Sequence, residues 1–253
     1  MHRWACLAAA SIFWLAAYAG YLLSAAPMAE ALGHAAATFV SSALCIGAAF
    51  ISLRVLVSAD FRPYHALALF AAGLALNLLA PVVFPPAVGR LATGLSLLLG
   101  GFGAGALLAG AVESPRYVVP VCVVSALADA WSVAAGPSRA IIASERAVRH
   151  VFVGMRMEDA QPLIGVADLV FVALFLCLAV RLKLGVQRSA LAMYAGLALG
   201  LAVAAFTGGA PGIPFIAGAF VIAHWPQVKP GRREIIQTAL FVAAMLLVFS
   251  VVR

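Results

Sequence analysis

Residues 63–85 read Pro-Tyr-His-Ala-Leu-Ala-Leu-Phe-Ala-Ala-Gly-Leu-Ala-Leu-Asn-Leu-Leu-Ala-Pro-Val-Val-Phe-Pro, a run without one acid, lysine or arginine. A helix needs about 20 predominantly apolar residues to cross the hydrocarbon core of a bilayer, and this stretch has them. Comparable runs, divided by charge, Pro and Gly, occupy residues 4–25, 31–58, 88–112, 117–136, 162–182, 188–207, 213–225 and 234–252. They predict an all-α fold, a polytopic membrane helix bundle of about nine transmembrane helices. Residues 1–253 form one transmembrane domain on this reading: N-terminal helices over 1–115, candidate catalytic helices over 116–225 and a C-terminal helix over 226–253.

Composition agrees, since a chain that is 65% hydrophobic and 10% charged has more apolar surface than a soluble domain of 253 residues can cover. The net charge of +7 reflects scarce acids, nine against sixteen scattered Lys and Arg without interleaved aromatics, which argues against a nucleic-acid partner. Cys6, Cys45, Cys122 and Cys177 lie in apolar runs without C-x-x-C spacing and read as small hydrophobic side chains. His34, His65 and His224 share no ligand spacing, so neither a metal nor a cofactor is expected.

His2-Arg3, the apolar run after it and Ser24-Ala-Ala-Pro-Met-Ala29 imitate a secretory signal, but a 22-residue run exceeds the usual h-region of about 7–15, which favours a retained first helix. A cytoplasmic N-terminus places ten of the sixteen basic residues inside, and four of the other six fall in the single long connection. That connection, 138–161, mixes Ile141, Ile142, Val148, Val151 and Phe152 with Arg139, Glu145, Arg146 and Arg149. It reads as an amphipathic interfacial helix, the alternative being a solvated connector. Asn77 reads as an interhelical hydrogen-bonding group. Gly100-Gly-Phe-Gly-Ala-Gly105, mid-helix and with no following Lys, reads as a close-packing surface rather than a phosphate loop.

Two of the nine carboxylates interrupt these runs: Asp129 in Ser-Ala-Leu-Ala-Asp-Ala-Trp-Ser-Val and Asp168 in Gly-Val-Ala-Asp-Leu-Val-Phe-Val. An intramembrane acid is costly and marks a functional site by default. Asp129 stands seven residues before Gly136, or about 10 Å, and Asp168 six residues past Pro162, or about 9 Å, so both are expected at matching depth on antiparallel neighbours. Two carboxylates close together in a low dielectric resist double ionisation and share a proton. Such a pair suits hydrolysis, one group taking a proton from water while the other donates one to the peptide carbonyl. The bland reading is that each acid merely caps or hydrogen-bonds a neighbouring helix.

The ordered set Ala128-Asp129, Gly165-Val166-Ala167-Asp168 and Pro214-Phe215-Ile216, with Pro211-Gly212 just before, resembles the presenilin and signal peptide peptidase family of intramembrane aspartyl proteases. That family carries Tyr-Asp, Gly-x-Gly-Asp and Pro-Ala-Leu in this order. Here Ala128 replaces the Tyr, Ala167 the second Gly, and only the Pro of the last motif is kept. The resemblance covers about residues 120–225 and implies a presenilin-like fold. It also implies Asp129 and Asp168 as the catalytic pair, a transmembrane or signal-peptide-like segment as substrate, and Gly165, Ala167, Pro211, Gly212, Pro214, Phe215 and Ile216 as substrate-binding residues. Gly165, three positions before Asp168, reads besides as a close-approach point on the same helix face, and Pro211 to Pro214 as irregular backbone opening a short helix. The stretch after His150 and Pro211 to Phe215 are candidate edges for an unwound substrate. The rival reading is a proton-coupled transporter using the two acids as a relay; a third is a non-catalytic scaffold.

Overall fold

The computed structural model describes residues 2–59, 61–134, 152–153, 164–207 and 210–251. Among them nine α-helices succeed one another: α1 His2–Leu32, α2 His34–Val57, α3 Pro63–Val83, α4 Pro86–Ala111, α5 Val118–Ala134, α6 Val166–Arg181, α7 Val186–Thr207, α8 Ile213–Val228 and α9 Arg232–Val251. Seven helices are long and apolar enough to cross a membrane, and the chain is a helical membrane bundle. α6 and α8 have only 16 residues each. The remaining regular structure among the described residues is a 3₁₀ turn at Pro115–Tyr117 and a two-residue antiparallel ladder, β1 Phe152–Val153 against β2 Ile164–Gly165.

Two expectations need correction here. Residues 164–165, read as part of a helix starting at 162, are strand, and the helix begins at Val166. The reason is local: the Asp168 carboxylate turns back to accept the Gly165 N–H at 3.0 Å, the reach of an acid at the third helical position to the residue preceding its helix. Phe152–Val153, read within an interfacial helix, pairs as a strand instead; the rest of 138–161 lies outside the described residues.

The chain divides into two compact units, Met1–Ala109 with Glu145–Cys177 and Gly110–Ser144 with Leu178–Arg253. In the first, α1 pairs with α2, and the rings of Trp14, Tyr18 and Tyr21 stack in series along α1 at 5.8 and 5.9 Å. The glycine-rich face of α4 then takes two neighbours at backbone distance, as expected for the 100–105 run. A Cβ at Gly103 would stand 2.5 Å from the Phe70 nitrogen of α3; one at Gly101 would stand 3.0 Å from Leu169 Cβ of α6. Gly105 meets Val170, Ala173 and Leu174 of α6. Without water to drive association, helices in lipid gain from such close approach. Asn77 plays its expected part, its Nδ2 donating to Ser96 Oγ at 3.0 Å between α3 and α4.

In the second unit α8 is central, packed against both α5 and α7, with Ile213, Ile216, Ala217, Phe220, His224 and Val228 buried. α9 covers α5, where Trp131 stacks on Phe249 at 4.2 Å and 7°.

Candidate functional site

Asp129 lies on α5 and is half-buried. Its Oδ2 accepts the backbone N–H of Ile213 at 3.0 Å, across 84 residues of sequence. Ile213 opens α8, where the first N–H groups of a helix have no intrahelical partner and a carboxylate satisfies one of them. Pro214, next in line, has no N–H to lose and its fixed φ suits the first turn. The Phe215 and Ile216 N–H groups both go to the Gly212 carbonyl at 3.2 Å. Of the irregular Pro211 to Pro214 backbone expected to open this short helix, the Ile213 N–H is therefore satisfied by Asp129.

Four of the five residues named around this turn are half-buried (Pro211, Gly212, Pro214 and Phe215), and Ile216 is fully buried. The turn is clamped from the far side by α7. A Cβ on Gly196 would stand 2.5 Å from the Phe215 carbonyl oxygen and 2.8 Å from Ala219 Cβ, and Gly200, one turn further, would press the Phe215 ring at 2.9 Å. Gly196→Ala must therefore push α8 from α7 and disturb the Ile213–Asp129 bond at the head of α8. We expect a loss of about 1–3 kcal/mol, read as a lowered melting midpoint in detergent. Gly218→Ala, on α8 with open space around it, is the control and should leave the midpoint in place.

Asp168 is the third residue of α6, in its first turn rather than six residues into a longer helix. It is half-buried, Gly165 is buried and Ala167 exposed. Gly165 thus serves this acid from the strand side, through its N–H and its pairing with Phe152, instead of from one helix face. Each acid has the same arrangement: one carboxylate oxygen anchored on a backbone N–H at a helix start. The structure brings Asp129 together with the Pro211–Ile216 turn in the second unit and Asp168 together with Gly165 in the first; the division of the chain assigns the two acids to different units.

One polar pair escapes the sequence reading. His224 Nε2 and Ser189 Oγ lie 2.9 Å apart, both fully buried, joining α8 to α7 in the second unit. Ser189 Oγ also donates to the Gly185 carbonyl at 2.9 Å, so its oxygen accepts from the ring Nε2–H. The 35-residue separation carries no spacing signal, and this pair fastens the helix that bears the Asp129 anchor. Comparison with protein-family models, curated proteins and solved structures finds no match for the chain.

Proposed function

We propose that the protein is an intramembrane aspartyl protease, with Asp129 and Asp168 as its acid-base pair and water as nucleophile. The observation that carries this reading is the contact between Asp129 and the N–H of Ile213. It joins one acid to the Pro211–Ile216 turn, two elements that the resemblance sets side by side and that nothing in the sequence distance requires to meet. The second acid lies in the first helical turn after a paired strand, β2, and an extended backbone beside a carboxylate is the surface against which an unwound substrate hydrogen-bonds. A transmembrane helix hides its peptide bonds, so such a surface is needed before hydrolysis can begin.

In the mechanism the pair shares one proton. The ionised carboxylate takes a proton from water as the water oxygen attacks the peptide carbonyl carbon; the protonated one donates to the carbonyl oxygen. Proton return to the nitrogen then releases an amine and a carboxylic acid. Backbone anchoring of one oxygen on each acid holds its carboxyl group in place for this exchange.

The test is cleavage of a single-span peptide by the protein reconstituted in liposomes, with products identified by mass. Cysteines at 129 and 168, in a background without the four native cysteines, report whether the two positions meet: a disulfide requires Cα atoms within about 7 Å. We expect cleavage by the wild type and a disulfide in the double-cysteine variant. Absence of both product and cross-link would sink the reading.

A further inference from the structure

The first unit has a cationic pocket at one end of its helices. Three segments converge there: the start of α1 with His2, Arg3 and Trp4, the end of α2 at Ser58, and the start of α3 with Arg62, Tyr64 and His65. They line an open hollow of about 520 Å³. α1 and α3 begin here and α2 finishes, and all three are among the helices long enough to span, so the pocket opens where the hydrocarbon layer stops. Arg3 and Arg62 line it, and the one acid in these segments, Asp60, lies outside the described residues.

We propose that this pocket holds the phosphodiester headgroup of an anionic glycerophospholipid. Arg62 is exposed at its mouth, and its planar guanidinium matches two phosphate oxygens. His65 Nδ1 accepts the Arg62 backbone N–H at 3.3 Å, which assigns the ring proton to Nε2 and makes that nitrogen a donor. The ring is held in place by neighbours, Tyr64 with centroids 4.0 Å apart and Trp4 edge-on at 6.2 Å. Trp and Tyr favour the headgroup level, where a ring meets lipid at one end and water at the other.

What distinguishes a lipid from a free anion is the surface below the pocket. Tyr64, Leu67, Leu74, Leu78 and Val82 recur at helical spacing along one face of α3, each more than half exposed, and so continue from the mouth down the span. An acyl chain laid on that stripe adds apolar contact that inorganic phosphate lacks.

Native mass spectrometry of the detergent-solubilised protein tests this, with phosphatidylglycerol, phosphatidylcholine and inorganic phosphate as probes. One phosphatidylglycerol should be retained at concentrations where neither phosphatidylcholine nor phosphate is. Arg62→Gln should weaken that retention about fivefold, the effect of one basic side chain near a charged lipid surface. His65→Gln, should Arg62→Gln fail to fold, should weaken it too. Equal retention of both lipids, or undiminished phosphatidylglycerol retention in folded Arg62→Gln, would overturn the site; phosphate bound as tightly as phosphatidylglycerol would overturn the lipid as its occupant. None of these outcomes depends on proteolysis.

Discussion

Replacing the acid at position 129 or 168 by asparagine is expected to abolish cleavage while leaving the protein folded. The amide oxygen of Asn accepts a backbone N–H as a carboxylate does, so Asp129→Asn keeps the bond to Ile213 and Asp168→Asn keeps the bond to Gly165. What the amide cannot do is exchange a proton with water or the carbonyl. General acid–base catalysis contributes roughly 10²–10⁴-fold, and if the pair works on one shared proton, as proposed, either substitution removes that factor. Alanine separates chemistry from architecture. Asp129→Ala and Asp168→Ala lose the cap as well, about 1 kcal/mol for a helix N-terminus, so their melting midpoints should fall where those of the Asn variants do not. Wild-type cleavage rates in either Asn variant, with intact melting, would reduce both acids to helix caps and defeat the protease reading.

Gly105→Val is expected to be the most damaging substitution remote from the acids. A Cβ at this position already presses the Val170 carbonyl of α6 and stands 2.7 Å from both Ala173 Cβ and Leu174 N; valine adds two methyl groups to a gap that cannot hold one. The obstacle is backbone, which cannot swing aside as a long side chain would, so α4 and α6 must separate along their contact. We expect destabilisation on the order of 3 kcal/mol, at or above the usual range for overpacking, with lower cleavage because α6 carries Asp168 in its first turn. Gly110→Val, in open space at the end of the same helix, should melt as the wild type does. Equal melting of the two variants would mean that α4 and α6 tolerate a wider spacing than their contact shows.

The helices are legible in the sequence because lipid imposes one rule everywhere: about twenty apolar residues, then a break. Residues 63–85 and 188–207 can be read nearly to their ends for that reason, and the glycines of 100–105 and Asn77 can be assigned to packing because small and amide side chains have few other uses at such depth. The acids stand out by cost alone. Their partners do not: that Asp129 takes an N–H from Ile213 depends on how α5 lies along α8, and no spacing rule spans 84 residues. The strand at 164–165 is hidden because Ile164 and Gly165 continue an apolar run, and only the backward reach of Asp168 ends it. The Arg62 pocket is assembled from three segments, each ordinary alone.

The brevity of α6 and α8 bears on the water that the proposed hydrolysis would consume. At about 1.5 Å per residue their 16 residues measure roughly 24 Å, some 6 Å less than a hydrocarbon layer of about 30 Å. Lipid thins to match a short helix, carrying the aqueous phase inward at its ends. If both helices cross the layer, Asp168 at the head of one and the Asp129 anchor at the head of the other lie where moisture penetrates an otherwise dry medium.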